Sequence, residues 1–140
     1  MSDGQIRGLV VAHGSVAPAL VAAVRQISGC EEGALQAISN DGRGPDQLLE
    51  TVREAAGEGP VLVFTDLSSG SCAFTARKVA AQRPATAVLS GVNLPLLLDF
   101  VFHRDLPLHP LVDRLVAKGR GEINGACIEE MVRADRALSR

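Results

Sequence analysis

The sequence VLVFTD, residues 61–66, has the clearest strand pattern in the chain, an apolar and β-branched run that ends at a carboxylate. A second run of this kind covers residues 6–12, and His13 follows it. Short runs without polar alternation are typical of strands buried on both faces of a sheet. Weaker patterns at residues 35–39 and 86–90 complete a prediction of four strands.

Segments with apolar residues at helical spacing separate these strands. Pro18 stands in the first turn of the first segment, where its missing N–H group is harmless, and Gly29 closes that helix. The predicted helices cover residues 17–27, 46–56, 72–82, 95–104, 110–118 and 128–138. Between the last two, residues 119–125 are an uncertain connection that could hold a short strand.

Strands that alternate with helices predict parallel β-α-β units. We therefore expect an α/β fold, a three-layer α/β/α doubly wound and mainly parallel sheet with strand order 2-1-3-4 and a possible extra C-terminal strand. In that order strands 1 and 3 are neighbours, and ligands bind at the crevice beyond their carboxyl ends. The length of 140 residues fits a single domain, residues 1–140, with residues 120–140 as a helical tail.

Composition excludes several function classes. Aromatic residues make up 3% of the chain and the net charge is −2, so nucleic-acid binding by stacking or by a basic surface is not expected. The wide spacing of Cys30, Cys72 and Cys127 fits neither a disulfide framework nor a zinc pattern. Because there is no secretory signal and no apolar stretch long enough to span a bilayer, we expect a soluble, cytoplasmic protein.

His13 follows strand 1 and Asp66 follows strand 3, so the predicted sheet brings both to the same edge. An aspartate there can accept the Nδ1–H hydrogen bond, which leaves Nε2 as a nucleophile and stabilises positive charge on the ring. Taken singly, Asp66 could be only a helix cap and His13 could only satisfy a backbone carbonyl. Together they are the candidate catalytic residues.

Two predicted helix starts also point to this edge. Helices that begin after Gly14 and Gly70 direct unpaired N–H groups and positive dipole ends toward the crevice. Hydroxyl donors stand beside them: Ser15, Ser68, Ser69 and Ser71. These donors with a nucleophilic histidine suit a phosphoryl group, and the absence of a nucleotide-binding loop predicts that this group arrives already activated.

Several motifs together resemble one family. They are the His-Gly-x-x-Ala pattern at residues 13–17, the GPDQLL loop at 44–49, VLVFTD at 61–66 with a glycine-serine turn at 70–71, GVNLPLL at 91–97, and Gly-Arg-Gly at 119–121. The combination, which covers about residues 6–122, resembles the mannose-type (mannose/fructose/sorbose) IIA component of the bacterial phosphoenolpyruvate-dependent sugar phosphotransferase system.

The resemblance implies a phosphoryl relay. HPr would phosphorylate His13, which would pass the group to a IIB component for sugar uptake and phosphorylation. Asp66 would orient the imidazole, Ser71 would help to bind the phosphoryl group, and Asn93 would lie at the edge of the site. The resemblance also implies no metal and no organic cofactor, a homodimer that exchanges a C-terminal strand, and membrane contact only through the IIC/IID permease.

The loop after Asp66 departs from the family pattern, because Ser69 stands for a glycine and Cys72 for a proline. Cys72 is either a reactive thiol at a helix start or, as free cysteines more often are, a small buried residue.

Other functions stay open. A related recipient is dihydroxyacetone kinase, whose phosphoryl-donor subunit resembles this family, and a regulatory phosphoprotein is a further alternative. Residues 10–15 also resemble the start of small tetrapyrrole metal chelatases. That activity needs more ligands from the second half of the chain, where His103 and His109 are predicted to be surface residues.

Overall fold

The structure, a computed structural model, describes residues 4–138, without the side chains of Glu130 and Met131. Four parallel strands form one sheet in the order β2-β1-β3-β4, which confirms the prediction. The strands are β1 (Arg7–Ala12), β2 (Leu35–Ser39), β3 (Val61–Thr65) and β4 (Thr86–Ser90). The helices are α1 (Val16–Ser28), α2 (Pro45–Ala56), α3 (Ser71–Gln82), α4 (Leu94–Val101), α5 (Leu108–Gly121) and α6 (Ile128–Leu138).

Successive residues of each strand point to opposite sides of the sheet. Both faces therefore carry apolar side chains, and helices cover both faces. On one face Val10 and Phe64 pack with α1, α4 and α5, and the Phe64 ring meets Phe100 edge-on at a centroid distance of 5.0 Å. On the other face Leu9 and Val63 pack with α2 and α3. Between Arg7 at the start of β1 and Thr65 at the end of β3, the central strands carry apolar residues or glycine, as their sequences indicated.

The parallel register sets the geometry of the functional edge. Ala12, the last residue of β1, pairs with Ser39 of β2, and Val11 pairs with Thr65 of β3. The residues that follow these strand ends therefore leave the sheet side by side, and they include His13 and Asp66.

Helix α4 ends three residues before its predicted end. The Arg104 side chain is buried, and its Nε donates to the carbonyl oxygen of Ile6 at 2.8 Å while Nη1 contacts the Glu31 carboxylate at 2.9 Å. Ile6 N–H in turn donates to the Arg104 carbonyl. These contacts with the start of β1 draw residue 104 out of the helical path.

The possible extra C-terminal strand was wrong for the described residues. Helix α5 continues to Gly121, and residues 122–127 are irregular before α6 begins. The reason is packing: Gly119 is buried so close to Leu96 that an added Cβ would lie 2.7 Å from its Cδ2. The Asn93 side-chain amide donates to the Gly119 carbonyl at 3.0 Å, and Lys118 pairs with Glu122 one helical turn on. Within residues 4–138, no helix is both long and apolar enough to cross a membrane.

Candidate active site

His13 and Asp66 form the centre of the carboxyl edge. Asp66 Oδ2 lies 2.9 Å from His13 Nδ1 and also accepts the backbone N–H of His13 at 3.0 Å. Its other oxygen, Oδ1, accepts the backbone N–H of Leu67 at 3.0 Å. The carboxylate thus binds the ring and the chain that carries it, so the imidazole is held in position.

The ionisation of Asp66 fixes the tautomer of the ring. Burial alone would raise the pKa of Asp66, but the hydrogen bonds from the His13 backbone and ring, with the charge of that ring, outweigh it and lower the pKa below its ordinary value. An ionised carboxylate can only accept, so in the neutral imidazole Nδ1 of His13 carries the proton and Nε2 keeps its lone pair. The His13 side chain is 38% exposed, against 15% for Asp66, so solvent and other molecules have access to the ring.

The loop after β2 holds the residue next to the histidine. Asn40 Oδ1 accepts the Gly14 N–H at 3.2 Å, and the Ser39 hydroxyl donates to the Gly14 carbonyl at 2.7 Å. Neither residue was predicted from the sequence. A signal was available, because Asn40 follows β2 as His13 follows β1. Because the Gly14 N–H is bound to Asn40, the unpaired donors of α1 begin after Gly14.

The start of α3 lies beside the other edge of the ring. A Cβ added at Gly70, the residue before this helix, would lie 3.9 Å from Nε2 and Cε1 of His13. Gly70 has a φ of +92°, a conformation that favours glycine. The N–H groups of the first turn, which begins at Ser71, have no partner within the helix. They form a donor set near Nε2. In the loop before this helix, the Arg77 guanidinium donates to the Ser68 carbonyl at 3.1 Å.

Cys72, in the first turn of α3, lies close to the His13–Asp66 pair. Its side chain is fully buried, as one of the two interpretations of this residue predicted. Burial raises the pKa of the Cys72 thiol and the charge of Asp66 raises it further, while a hydrogen bond with Ser71 acts in the opposite direction. The thiol is therefore protonated at neutral pH. One ligand atom each from His13, Asp66 and Cys72 lie within 4.8 Å of one another.

Asn93 has a structural role in the described residues. Its Oδ1 accepts the Leu96 N–H at 3.2 Å and so caps α4, while Nδ2 holds the Gly119 carbonyl. No hydrogen bond among residues 4–138 joins Asn93 to His13 or Asp66. Ser15 is exposed at the start of α1, where its side chain makes no capping bond, so its hydroxyl can turn toward a ligand.

The two other histidines lie away from this edge. His103 Nδ1 is 2.8 Å from the Asp99 carbonyl at the end of α4, and His109 on α5 is 92% exposed beside Asp113. Both are accounted for by neighbours on their own helical segments.

The fold and the site together define a class: a doubly wound α/β protein with an aspartate-bound histidine at its switch point. Over residues 8–117 the chain matches the EIIA-man family model, described as the PTS system fructose IIA component. The chain belongs to this family, and it is a IIA component of the sugar phosphotransferase type. This family membership favours the phosphotransferase interpretation over the chelatase alternative.

Solved structures give the same fold. The chain is similar to the phosphotransferase system component EIIA from Streptococcus agalactiae, with a TM-score of 0.80 and 23% identity over 86% of this chain and 96% of that one. The mannose/sorbose-specific IIA subunit from Enterococcus faecalis gives a TM-score of 0.76 and 20% identity, over 88% and 96%. The PTS IIA protein associated with the fucose utilization operon of Streptococcus pneumoniae gives 0.76 and 17%, over 94% and 99%. No curated protein matches the sequence.

Proposed function

We propose that this chain is a phosphocarrier whose His13 accepts a phosphoryl group from phospho-HPr and passes it to a IIB component. The observation that carries the proposal is the double hydrogen bond from the backbone and Nδ1 of His13 to one oxygen of Asp66. In the neutral ring it leaves Nε2 as the one nitrogen with a free lone pair, on a side chain that is 38% exposed.

The transfer is an in-line displacement. Nε2 of His13 attacks the phosphorus of the incoming phosphohistidine, the N–P bond of the donor breaks, and the donor nitrogen keeps the electron pair. The His13 ring becomes positively charged as the new N–P bond forms, and the Asp66 carboxylate stabilises this charge. Because the aspartate is already ionised and positioned, no reorganisation is needed during the step.

Binding of the phosphoryl oxygens falls to the start of α3. The first-turn N–H groups and the helix dipole favour an anion beside Nε2, and the hydroxyls of Ser71 and Ser15 add donors. Gly70 leaves room for the group, since a side chain there would lie in contact with the ring. Gly14 contributes by fixing the path of the chain, because its N–H is bound to Asn40.

The experiment is labelling with radioactive phosphoenolpyruvate, Enzyme I and HPr. We expect the wild type to take up one phosphoryl group, stable in base and labile in acid as a phosphohistidine is, and His13→Ala to take up none. His109→Ala is the matched control, because this histidine is also exposed and also has an aspartate neighbour. Full labelling of His13→Ala would reject the proposal.

The recipient is decided by chasing the labelled protein with a purified IIB component or with the dihydroxyacetone kinase subunits. Loss of label to IIB supports the sugar-transport role, with membrane contact only through the IIC/IID permease. Label that stays on the protein with both recipients supports the regulatory alternative. We also propose that residues 1–140 form one IIA domain, located in the cytoplasm and assembled as a homodimer. A mass measurement in solution tests the homodimer.

A further inference from the structure

His13 follows β1, Asp66 follows β3 and Cys72 lies in the first turn of α3, and together they offer three kinds of metal ligand in one place. One imidazole nitrogen, one carboxylate oxygen and the Cys72 sulfur all lie within 4.8 Å of one another. Phosphoryl transfer uses the first two residues and gives the thiol no task. We propose that these three side chains form a binding site for a zinc-like divalent cation.

The separations of the three ligand atoms need only a small adjustment to match those of a zinc site. Tetrahedral zinc with bonds of about 2.0 Å to nitrogen and oxygen and about 2.3 Å to sulfur holds its ligand atoms roughly 3.3–3.5 Å apart. If Nδ1 is the nitrogen ligand, the His13–Asp66 pair, at 2.9 Å, needs to open slightly. The longest separation among the three atoms is at most 4.8 Å and needs to close by up to about 1.3 Å, through side-chain rotation at His13 and Asp66.

The donor set selects the metal. Thiolate and imidazole ligands favour zinc and related transition metals, whereas magnesium and calcium prefer all-oxygen sites. Three protein ligands with one position left open are typical of accessible zinc sites. The 38% exposure of His13 provides that open position to water, while Cys72 closes the inner side.

Metal binding and phosphorylation exclude each other. The ion displaces the thiol proton of Cys72 to solvent, and the neutral ring of His13 keeps its one proton on the nitrogen that does not bind the metal. If Nε2 binds the ion, it has no lone pair for phosphorus. If Nδ1 binds the ion, Nε2 carries the proton and again has no lone pair.

Cobalt(II) is the probe, because a cobalt–thiolate bond gives an intense near-ultraviolet absorption. The full chain is titrated in a Cys30→Ala, Cys127→Ser background, which leaves Cys72 as the only thiol. We expect a band that saturates at one ion per chain and is removed by zinc in competition. Adding Cys72→Ser should abolish the band and weaken zinc binding at least about 100-fold, beyond the 10–100-fold typical of losing an outer-shell partner.

Asp66→Asn and His13→Gln should each shift the cobalt spectrum or weaken binding, because each removes one ligand. Circular dichroism checks that every variant is folded, and Cys72→Ala replaces Cys72→Ser if the hydroxyl is not tolerated in the core. A band that persists without Cys72, or no band in the parent, overturns the proposal.

The competition arm rests on the proposed function, whereas the cobalt titration does not. Zinc should suppress labelling of wild-type His13 by phospho-HPr and leave labelling of Cys72→Ala much less affected. Zinc inhibition of equal strength in both proteins would overturn the shared site. If phospho-HPr labels neither protein, the relay fails and the spectrum still decides the metal site.

Discussion

At the amino end of the sheet two arginines bind carbonyl oxygens, while at the carboxyl end an aspartate binds a histidine and leaves one ring nitrogen free. Arg7 donates to the Ala55 carbonyl at 3.1 Å and to that of Ala56. Arg83 donates to the Gly57 carbonyl at 2.8 Å. These bonds satisfy the last carbonyls of α2, which have no partner within the helix.

The carboxyl end uses the same kind of long-range polar contact for a different result. Asp66 binds both the Nδ1 side and the backbone of His13, and no hydrogen bond among residues 4–138 uses Nε2. Polar groups that are fully paired hold the fold together, whereas a positioned group with one unpaired atom can react. The comparison predicts that changes at the carboxyl end alter phosphoryl transfer and that changes at the amino end alter stability.

Among the changes at the two ends of the sheet, Asp66→Asn should have the largest effect on phosphoryl transfer. The amide no longer fixes the tautomer or stabilises the charged ring, and loss of the aspartate that orients a catalytic histidine costs about 10⁴-fold in rate in serine proteases. We expect labelling by phospho-HPr to slow to that extent, measured by rapid quench, with the fold retained. Asp113→Asn, which alters an exposed aspartate beside His109, is the matched control. Equal rates for Asp66→Asn and the wild type would contradict the role of the carboxylate.

Arg83→Met tests the opposite end. Removing the guanidinium takes the Arg83 donor from the carbonyl oxygens of Gly57 and Gly59 and one of two arginine donors from that of Ala56, which should lower the free energy of unfolding by about 1–3 kcal/mol in urea denaturation. The labelling rate at 25 °C should stay within about twofold of the wild type. Arg53→Met is the control, because its ion pair with Glu50 is exposed and should contribute about 0.5 kcal/mol or less. A large loss of labelling in folded Arg83→Met would show that the two ends are not independent.

Asn40→Ala tests, within the carboxyl end, whether the residue that binds Gly14 also positions His13. Without its amide oxygen the Gly14 N–H loses its acceptor, which should cost about 1 kcal/mol and slow labelling about tenfold through a less fixed His13. Because Asn40 is a positioning residue, the rate at saturating phospho-HPr should fall while the half-saturating concentration stays unchanged. Asn40→Asp, which keeps the acceptor oxygen, should recover part of the rate at saturation. A change in half-saturation alone would assign Asn40 to partner binding.

The pH dependence of stability should give the smallest effect. The pKa of Asp66 is lower in the folded protein than its unfolded value of about 3.9, so ionised Asp66 stabilises the fold above that pH. This contribution is lost as pH falls through the lowered folded pKa. The stability advantage of wild type over Asp66→Asn should shrink as pH falls below about pH 4. A pH-independent difference in urea denaturation would show that the ionisation of Asp66 does not contribute.

Local patterns in the sequence were sufficient for the fold. The apolar run at residues 61–65 predicted the bounds of β3, because a strand buried on both faces carries a continuous apolar signal. The weaker patterns at residues 35–39 and 86–90 predicted the bounds of β2 and β4. The alternation of strands with helices then gave the parallel order. The end of α4 was not predictable in this way, since it depends on the contact of Arg104 with Ile6 at the start of the chain.

The sequence by itself determined that His13 and Asp66 end neighbouring strands, because parallel strands place their carboxyl ends at one edge of the sheet. Only the tertiary structure decided which other side chains reach that edge. In the structure Asn40 and Cys72 lie at that edge, whereas the Asn93 side chain forms its hydrogen bonds with α4 and α5. The physical reason is that periodicity reports which face of an element is buried, whereas a hydrogen bond or a shared ligand site depends on distances between residues far apart in the chain.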